Sequence, residues 1–311
     1  MTSWRVGDGT TVHRIDEIAL PPETGPWLLP AATPEVTAQA PWLTPEFAGE
    51  DGGLRLAVHT FAVEIGGLRV LIDTGIGNHK TRANPAWHDL DTPYLDRLAA
   101  AGFAPETVDY VILTHLHADH VGWNTRRAAD GSWRPTFPNA RYLTSRTEHD
   151  YWSGVDMEES RRQMLQDSVA PVREAGLLDL VDVAEGGTEV VPGLTLLPTP
   201  GHTPGQISVA LRDGEHSAVV TGDCVHHPVQ LAHPDLCSSV DIDAEQAART
   251  RTRLLTELAG TGTLLLGSHF PPPTAGLVRR DGDAFRLLPV PAGQPAASSG
   301  DSGGAAVTVG G

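Results

Sequence analysis

Thr114-His115-Leu116-His117-Ala118-Asp119-His120-Val121-Gly122-Trp123-Asn124 is the stretch on which the reading of this chain turns. Four metal-type ligands fall within six residues, directly behind the apolar run Val111-Ile112-Leu113. In an extended segment, side chains two apart leave the same side, so His115 and His117 form one pair. Asp119 and His120 follow at once and must point elsewhere, which suits a second ion beside the first. Imidazole and carboxylate together suit zinc or a similar first-row metal.

Outward from this cluster, composition narrows the chemistry. The chain has 311 residues, 40% of them hydrophobic, enough for a large α/β core. Its formal charge of −17 repels phosphate backbones and anionic membranes. That argues against a nucleic-acid or membrane partner and for a small-molecule substrate. The two cysteines, Cys224 and Cys237, make no disulfide framework. Met1 to Thr11 carries no apolar core of signal-peptide length, and no stretch reaches the ~20 apolar residues of a membrane helix. The expectation is a cytoplasmic protein, with monomer and homodimer both left open.

Taken in order, Thr11 to Leu20 reads as a strand ended by Pro21-Pro22. Residues 21–50 are rich in proline but carry Trp27, Leu28, Leu29, Trp42, Leu43 and Phe47, and they read as a flap covering a pocket. Alternation from Leu54 to Ile65 changes phase, which predicts a bulge near Thr60. Gly66-Gly67 is a hairpin turn before the strand Leu68 to Ile72, which ends in Asp73-Thr74-Gly75. A helix is expected after Thr92-Pro93, and Val108 to Leu113 forms the strand that delivers the histidines. Further strands are expected at Ala140–Thr144, Leu194–Leu197, Ile207–Leu211, Ala218–Val220 and Thr263–Leu266. A helix interrupted by Pro171 spans residues 156–176, and Asp243 caps a second running to Leu258. A hairpin around Asp281-Gly282 completes a single domain over residues 1–291, and residues 292–311 read as a flexible Gly/Ser/Ala tail.

Apolar runs end at His115, His202, Asp223 and His269, each at a Gly- or Pro-rich turn or at further ligands. Strand ends on one sheet edge are where α/β proteins build sites. The candidate ligands are therefore His115, His117, Asp119, His120, His202, Asp223 and His269. His115, His117 and His202 fall to one ion, and Asp119, His120 and His269 to the other. Asp223, with two oxygens, would bridge them and leave a shared position for hydroxide. Asp73 is expected to accept a hydrogen bond from a ligand histidine. Trp123, Phe270, Trp27 and Trp42 are candidate pocket walls.

The His-x-His-x-Asp-His run, His202 in Thr199-Pro200-Gly201-His202-Thr203-Pro204-Gly205, the pair Gly222-Asp223 and the late His269 together resemble the metallo-β-lactamase superfamily. The resemblance covers Thr11 to Val290 and implies an αββα sandwich, two mixed sheets flanked by helices. It implies two Zn²⁺, with Mn, Fe or Co as substitutes. Asp223 is present and Cys224 only neighbours it, which disfavours β-lactam cleavage. The flap and the stretch Gly222 to Gln230 look most like the lactonase and organophosphate-hydrolase branch. The implied activity is hydrolysis of a lactone or carboxylic ester by a metal-bridging hydroxide. A glyoxalase-II-type thioesterase or a phosphotriesterase is the alternative; a non-catalytic binding protein is disfavoured by the full ligand set. Asp119 is the expected proton relay. His226 stands where such lactonases can place a substrate-holding tyrosine, and it is expected to donate to the oxyanion.

Overall fold

A computed structural model describes residues 2–293. Its first half runs β1 (Thr2–Arg5), β2 (Thr10–Ala19), α1 (Thr24–Leu28), α2 (Pro34–Thr37), β3 (Ala57–Ile65), β4 (Leu68–Ile72), α3 (Tyr94–Ala100) and β5 (Tyr110–Ile112). A short ribbon of β6 (Thr125–Arg127) and β7 (Trp133–Pro135) follows, then β8 (Arg141–Ser145), α4 (Arg146–Gly154), α5 (Glu159–Ser168), α6 (Ala170–Glu174) and β9 (Leu178–Val181). The second half runs β10 (Thr188–Val191), β11 (Leu194–Pro198), β12 (Ile207–Asp213), β13 (His216–Val220), α7 (Val229–Ala232), α8 (Ala244–Leu258), β14 (Leu264–Leu266), β15 (Ala275–Asp281) and β16 (Ala284–Pro289).

Each half builds a seven-stranded mixed sheet, ordered β1-β2-β3-β4-β5-β8-β9 and β10 to β16 in sequence. Alternate residues of β2, β3 and β4 (Val12, Phe61, Val63, Val70, Ile72) meet Leu196, Val209, Leu211, Val220 and Leu266 from the second sheet in one shared core. The opposite faces are covered as well. Leu71, Val111 and Tyr142 pack under Leu98, Trp152 and Met164 of the helices, and Val219 and Leu265 pack under Leu254 and Leu255 of α8. The four layers are helix, sheet, sheet, helix, the αββα sandwich. Strands buried on both faces explain the continuous apolar runs at 111–113 and 264–266.

Local chemistry sets the turns. Ile65 pairs with Leu68, and Gly66 and Gly67 both take positive φ (57° and 84°), the two-residue hairpin geometry expected. Asp243 caps α8 by accepting from Gln246 N at 2.9 Å.

Several expectations shift. The register slip lies between Asp16 and Ile18 on β2, opposite His59 and Val58, rather than on β3 near Thr60. Helix 156–176 is two helices, because α5 stops at Ser168 and Pro171 sits in the first turn of α6. Pro93, not Thr92, precedes α3 as its cap, and it offers no side-chain hydrogen bond. Strands β1, β9 and β10 and helix α4 were not expected. Residues 21–50 hold α1 and α2, and their Leu28, Leu29, Leu43 and Phe47 are buried in the outer core with α8. The aromatic and aliphatic content of the flap therefore pays for packing against the second sheet's helical layer. Residues 294–311 of the expected tail lie outside the described residues; Gly293 N donates to Ser3 O at 2.8 Å.

Candidate metal centre

β5 and β13 end at one edge of the sandwich, and the loops leaving β5, β11, β13 and β14 converge there. Two groups of ligand atoms lie side by side, His115, His117, His202 and Asp223, and Asp119, His120 and His269, while a third, His202, His226 and Asp241, shares His202 with the first; the atoms in each group lie within 4.8 Å of one another. The two oxygens of Asp223 divide between the first two groups. Oδ2 lies 3.7 Å from His115 Nε2 and 3.5 Å from His202 Nε2. Oδ1 lies 3.3 Å from His120 Nε2 and 3.1 Å from His269 Nε2.

The donor set fits divalent cations on grounds internal to the structure. Ring nitrogens face one another, His202 Nε2 to His117 Nδ1 at 2.9 Å and His269 Nε2 to His120 Nε2 at 3.2 Å. Two imidazole lone pairs at that range need a proton or a cation between them. His115 Nε2 and Asp223 Oδ1 are buried with no hydrogen-bond partner. Burial holds His115 and His117 well below the usual histidine range. Burial also acts on His120, but Asp223, Asp73 and Asp119 outweigh it and hold the ring well above that range. His269 is raised in the same way, burial being outweighed chiefly by Asp223. Burial would raise Asp223, yet the surrounding histidines hold it well below the carboxylate range. The cluster is thus built around positive charge, which a metal supplies in place of protons.

The ring nitrogens that face away from the cluster are fixed by acceptors. His120 Nδ1 meets Asp73 Oδ2 at 2.8 Å, His202 Nδ1 meets Asp241 Oδ1 at 2.8 Å, and His269 Nδ1 meets Ala57 O at 3.0 Å. Asp73 also accepts from Thr114 N and Thr114 Oγ1, both at 2.8 Å.

The remaining candidates are spread more widely. Asp119, at the edge of the cluster, keeps 12% side-chain exposure. His226 is fully buried, with Nε2 3.3 Å from Asp223 Oδ2. Trp123 is buried behind the His120 loop, stacked on Tyr94 with ring centroids 5.1 Å apart. Phe270 is buried in the outer core against Phe47. Trp42 is half-buried beside Phe47, and Trp27 stands 53% exposed.

Three carboxylates that brace the ligand loops escaped the sequence reading. Glu17, the extra residue of the β2 bulge, accepts from Ile76 N at 2.6 Å, Gly77 N at 3.0 Å and Trp123 Nε1 at 2.7 Å. It therefore ties down the loop after Asp73. Burial pushes it up to about 7. Glu148 accepts from Leu116 N, Trp152 Nε1, Thr203 Oγ1 and Gly205 N, joining the loop of His115 and His117 to the loop of His202. A Cβ on Gly205 would lie 2.0 Å from Glu148 N, so that junction requires glycine. Ser145-x-x-Glu148 after a strand is a helix-start signal and could have been seen. Asp241 has no local signal, because its partner is 39 positions away.

Comparison with known proteins gives the family and the fold. The family model described as the metallo-beta-lactamase superfamily matches residues 53–269. N-acyl homoserine lactonase AttM of Rhizobium radiobacter is 33% identical over 129 residues, 40% of this chain and 43% of that protein. An N-acyl homoserine lactonase of Bacillus cereus is 32% identical over 123 residues, 40% of each chain. The matched stretch thus spans about two-fifths of these relatives' length. Among solved structures, AidC, a dizinc quorum-quenching lactonase, superposes with a TM-score of 0.75 at 22% identity, covering 93% of this chain and 96% of that one. The hydrolase AbOPH gives 0.72 at 24% identity, over 93% and 97%. At these identities the likeness is one of fold.

Proposed function

This chain belongs to the metallo-beta-lactamase superfamily, and from that premise we propose a two-metal hydrolase, one domain, cleaving a lactone or carboxylic ester of a small molecule. The single observation that carries the reading is the division of the Asp223 oxygens between two histidine groups. His115, His117 and His202 would hold one divalent ion, Asp119, His120 and His269 the other, with Asp223 shared. Such a pair supplies an activated water and a Lewis acid for the carbonyl. Zinc suits the N/O donor set, with Mn, Fe or Co as substitutes.

The chain's own residues do the rest. Asp119, the most exposed ligand, takes the proton released during attack and returns it to the leaving oxygen. His226, with Nε2 3.3 Å from Asp223 Oδ2, offers its ring N–H to the substrate oxygen that arrives beside it. Both ring nitrogens of His226 lack a hydrogen-bond partner, which supports that role. Trp123 and Phe270 shape the site from behind, Trp42 packs on Phe47 to support the flap, and the exposed Trp27 is the flap residue that would meet an apolar acyl group. The lactonase relatives support the choice of bond.

The test is metal analysis followed by a chelator-controlled panel of acyl-homoserine lactones, aryl esters, thioesters, phosphotriesters and β-lactams. Lactone or ester turnover that chelation abolishes is expected. Turnover of thioesters alone, or of phosphotriesters alone, would overturn the substrate assignment. Asp223→Ala should lose both metals and the activity, and a variant retaining two tightly bound ions would overturn the shared role.

A further inference from the structure

His202 is held from behind by a carboxylate, and a buried arginine stands beside that carboxylate as its counter-charge. Asp241 Oδ1 lies 2.8 Å from His202 Nδ1, and Oδ2 accepts from Ser238 N at 2.8 Å. The Asp241 side chain has no exposed surface. The same segment holds the backbone of the ligand loop, since Ile242 N donates to His202 O at 3.0 Å and Asp243 N to Gly201 O at 2.9 Å. The carboxylate and the imidazole therefore move as one body.

Arg251, on α8, is fully buried. Its Nε donates to Cys224 O at 2.8 Å, on the residue that follows Asp223. Its Nη1 donates to Pro234 O at 2.7 Å and Leu236 O at 2.6 Å. Its Nη2 makes no hydrogen bond and lies 3.9 Å from Asp241 Oδ2. A guanidinium stays charged and needs an anion when buried. Asp241 is that anion. One arginine thus spans the turn that aims Asp223 and the carboxylate that aims His202.

We propose that Asp241 and Arg251 are a positioning pair for the first ligand group, doing for His202 and Asp223 what Asp73 does for His120. This inference rests on the two-metal reading. Accepting the Nδ1 proton leaves the Nε2 lone pair of His202 toward the ion and raises its basicity. Holding Cys224 O fixes the backbone from which Asp223 projects.

Zinc titration against a competing chelator tests the pair. The proteins compared are wild type, Asp241→Asn, Arg251→Lys, Asp73→Asn and the Asp241→Asn/Asp73→Asn double variant. Asp241→Asn should weaken one of two zinc ions by about 10–100-fold and leave the other nearly unchanged, whereas Arg251→Lys, which also frees the turn carrying the shared Asp223, should weaken that same ion most and the other to a lesser degree. Asp73→Asn should weaken the other ion, so the double variant weakens both. Equal weakening of both ions in Asp241→Asn, or unchanged affinities with a lower melting point of the zinc-free protein, would overturn the pair and leave the two-metal reading standing. A wild type that binds no zinc would remove both. Histidine ¹⁵N spectra of zinc-loaded wild type give a measurement free of substitutions: His202 is expected with its proton on Nδ1, and no proton there overturns the pair.

Discussion

Asp73 Oδ2 and His120 Nδ1 meet at 2.8 Å across 47 positions of sequence, joining the end of β4 to the loop after β5. The same carboxylate accepts the N–H and O–H of Thr114, so one side chain fixes both the start of the ligand run and its last imidazole. Asp73 pays a small backbone cost for this, with φ of 57°.

Removing that carboxylate leaves three buried donors without an acceptor. Each costs about 1–3 kcal/mol, and partial relaxation keeps the sum below simple addition. Asp73→Ala should therefore lower unfolding free energy by roughly 3–5 kcal/mol in denaturant titrations of the metal-free protein. A loss below about 1 kcal/mol would mean that Asp73 does not hold the turn.

Glu17 should make stability pH-dependent. Its folded pKa, pushed up to about 7 by burial, lies above the ordinary carboxylate value, so the folded state binds the extra proton. The contribution is present in full below the unfolded pKa and is lost as pH rises through about 7. Between pH 5 and pH 8 the chelated wild type should lose about 3 kcal/mol that Glu17→Gln does not lose. The two proteins melting in parallel across that range would show that the carboxyl does not titrate there.

Lys80 gives the opposite slope. Its ammonium is fully buried, 2.7 Å from Thr125 Oγ1, 3.3 Å from Asp167 Oδ1 and 3.8 Å from the centre of the Trp133 ring. Asp167 is already engaged by both Nη atoms of Arg82, at 2.7 and 3.0 Å. Burial brings Lys80 down to about 7, so its stabilising contribution is full above the unfolded pKa and is lost as pH falls through about 7. Lys80→Met should gain on wild type by about 3 kcal/mol more at pH 6 than at pH 9. Equal gains or losses at both pH values would count against a buried, depressed ammonium.

Metal removal should destabilise the whole molecule, because the ligands come from both sheets. At a free metal concentration a thousandfold above Kd, each site contributes about 4 kcal/mol. For a chain of this size that is on the order of 10 °C per ion in melting temperature. Calorimetry with and without chelator reads it directly, and an unchanged melting point would exclude tight binding.

The candidate ligands were legible because His115, His202, Asp223 and His269 each come just after an apolar run, with a Gly- or Pro-rich turn or further candidate ligands close by, a pattern local enough to read from Leu113, Leu197, Val220 and Leu266. The sandwich was implied by the family resemblance that those motifs carry, while the apolar runs by themselves gave only strands. What escaped was long-range or conditional. Asp241 and Arg251 are an aspartate in a loop and an arginine on a helix until folding brings them beside His202 and Cys224. Glu17 has no signal of its own in the strand Thr11 to Leu20, and its burial depends on the bulge between Asp16 and Ile18. Strands β9 and β10 are short and half-exposed, so neither carries a strong alternation. The apolar content of the flap argued for a folded segment but could not name its partner: Phe270, which meets Phe47, is more than two hundred positions downstream.

That separation has a consequence for biogenesis. Phe47 and its apolar neighbours leave the ribosome long before α8 and Phe270 exist to receive them. The N-terminal sheet can pair its strands early, but this segment stays a sticky surface until α8 and Phe270 have been made. A stalled or truncated chain ending before α8 would present it to chaperones or to other copies, which makes late truncation far more damaging here than the loss of one surface helix suggests.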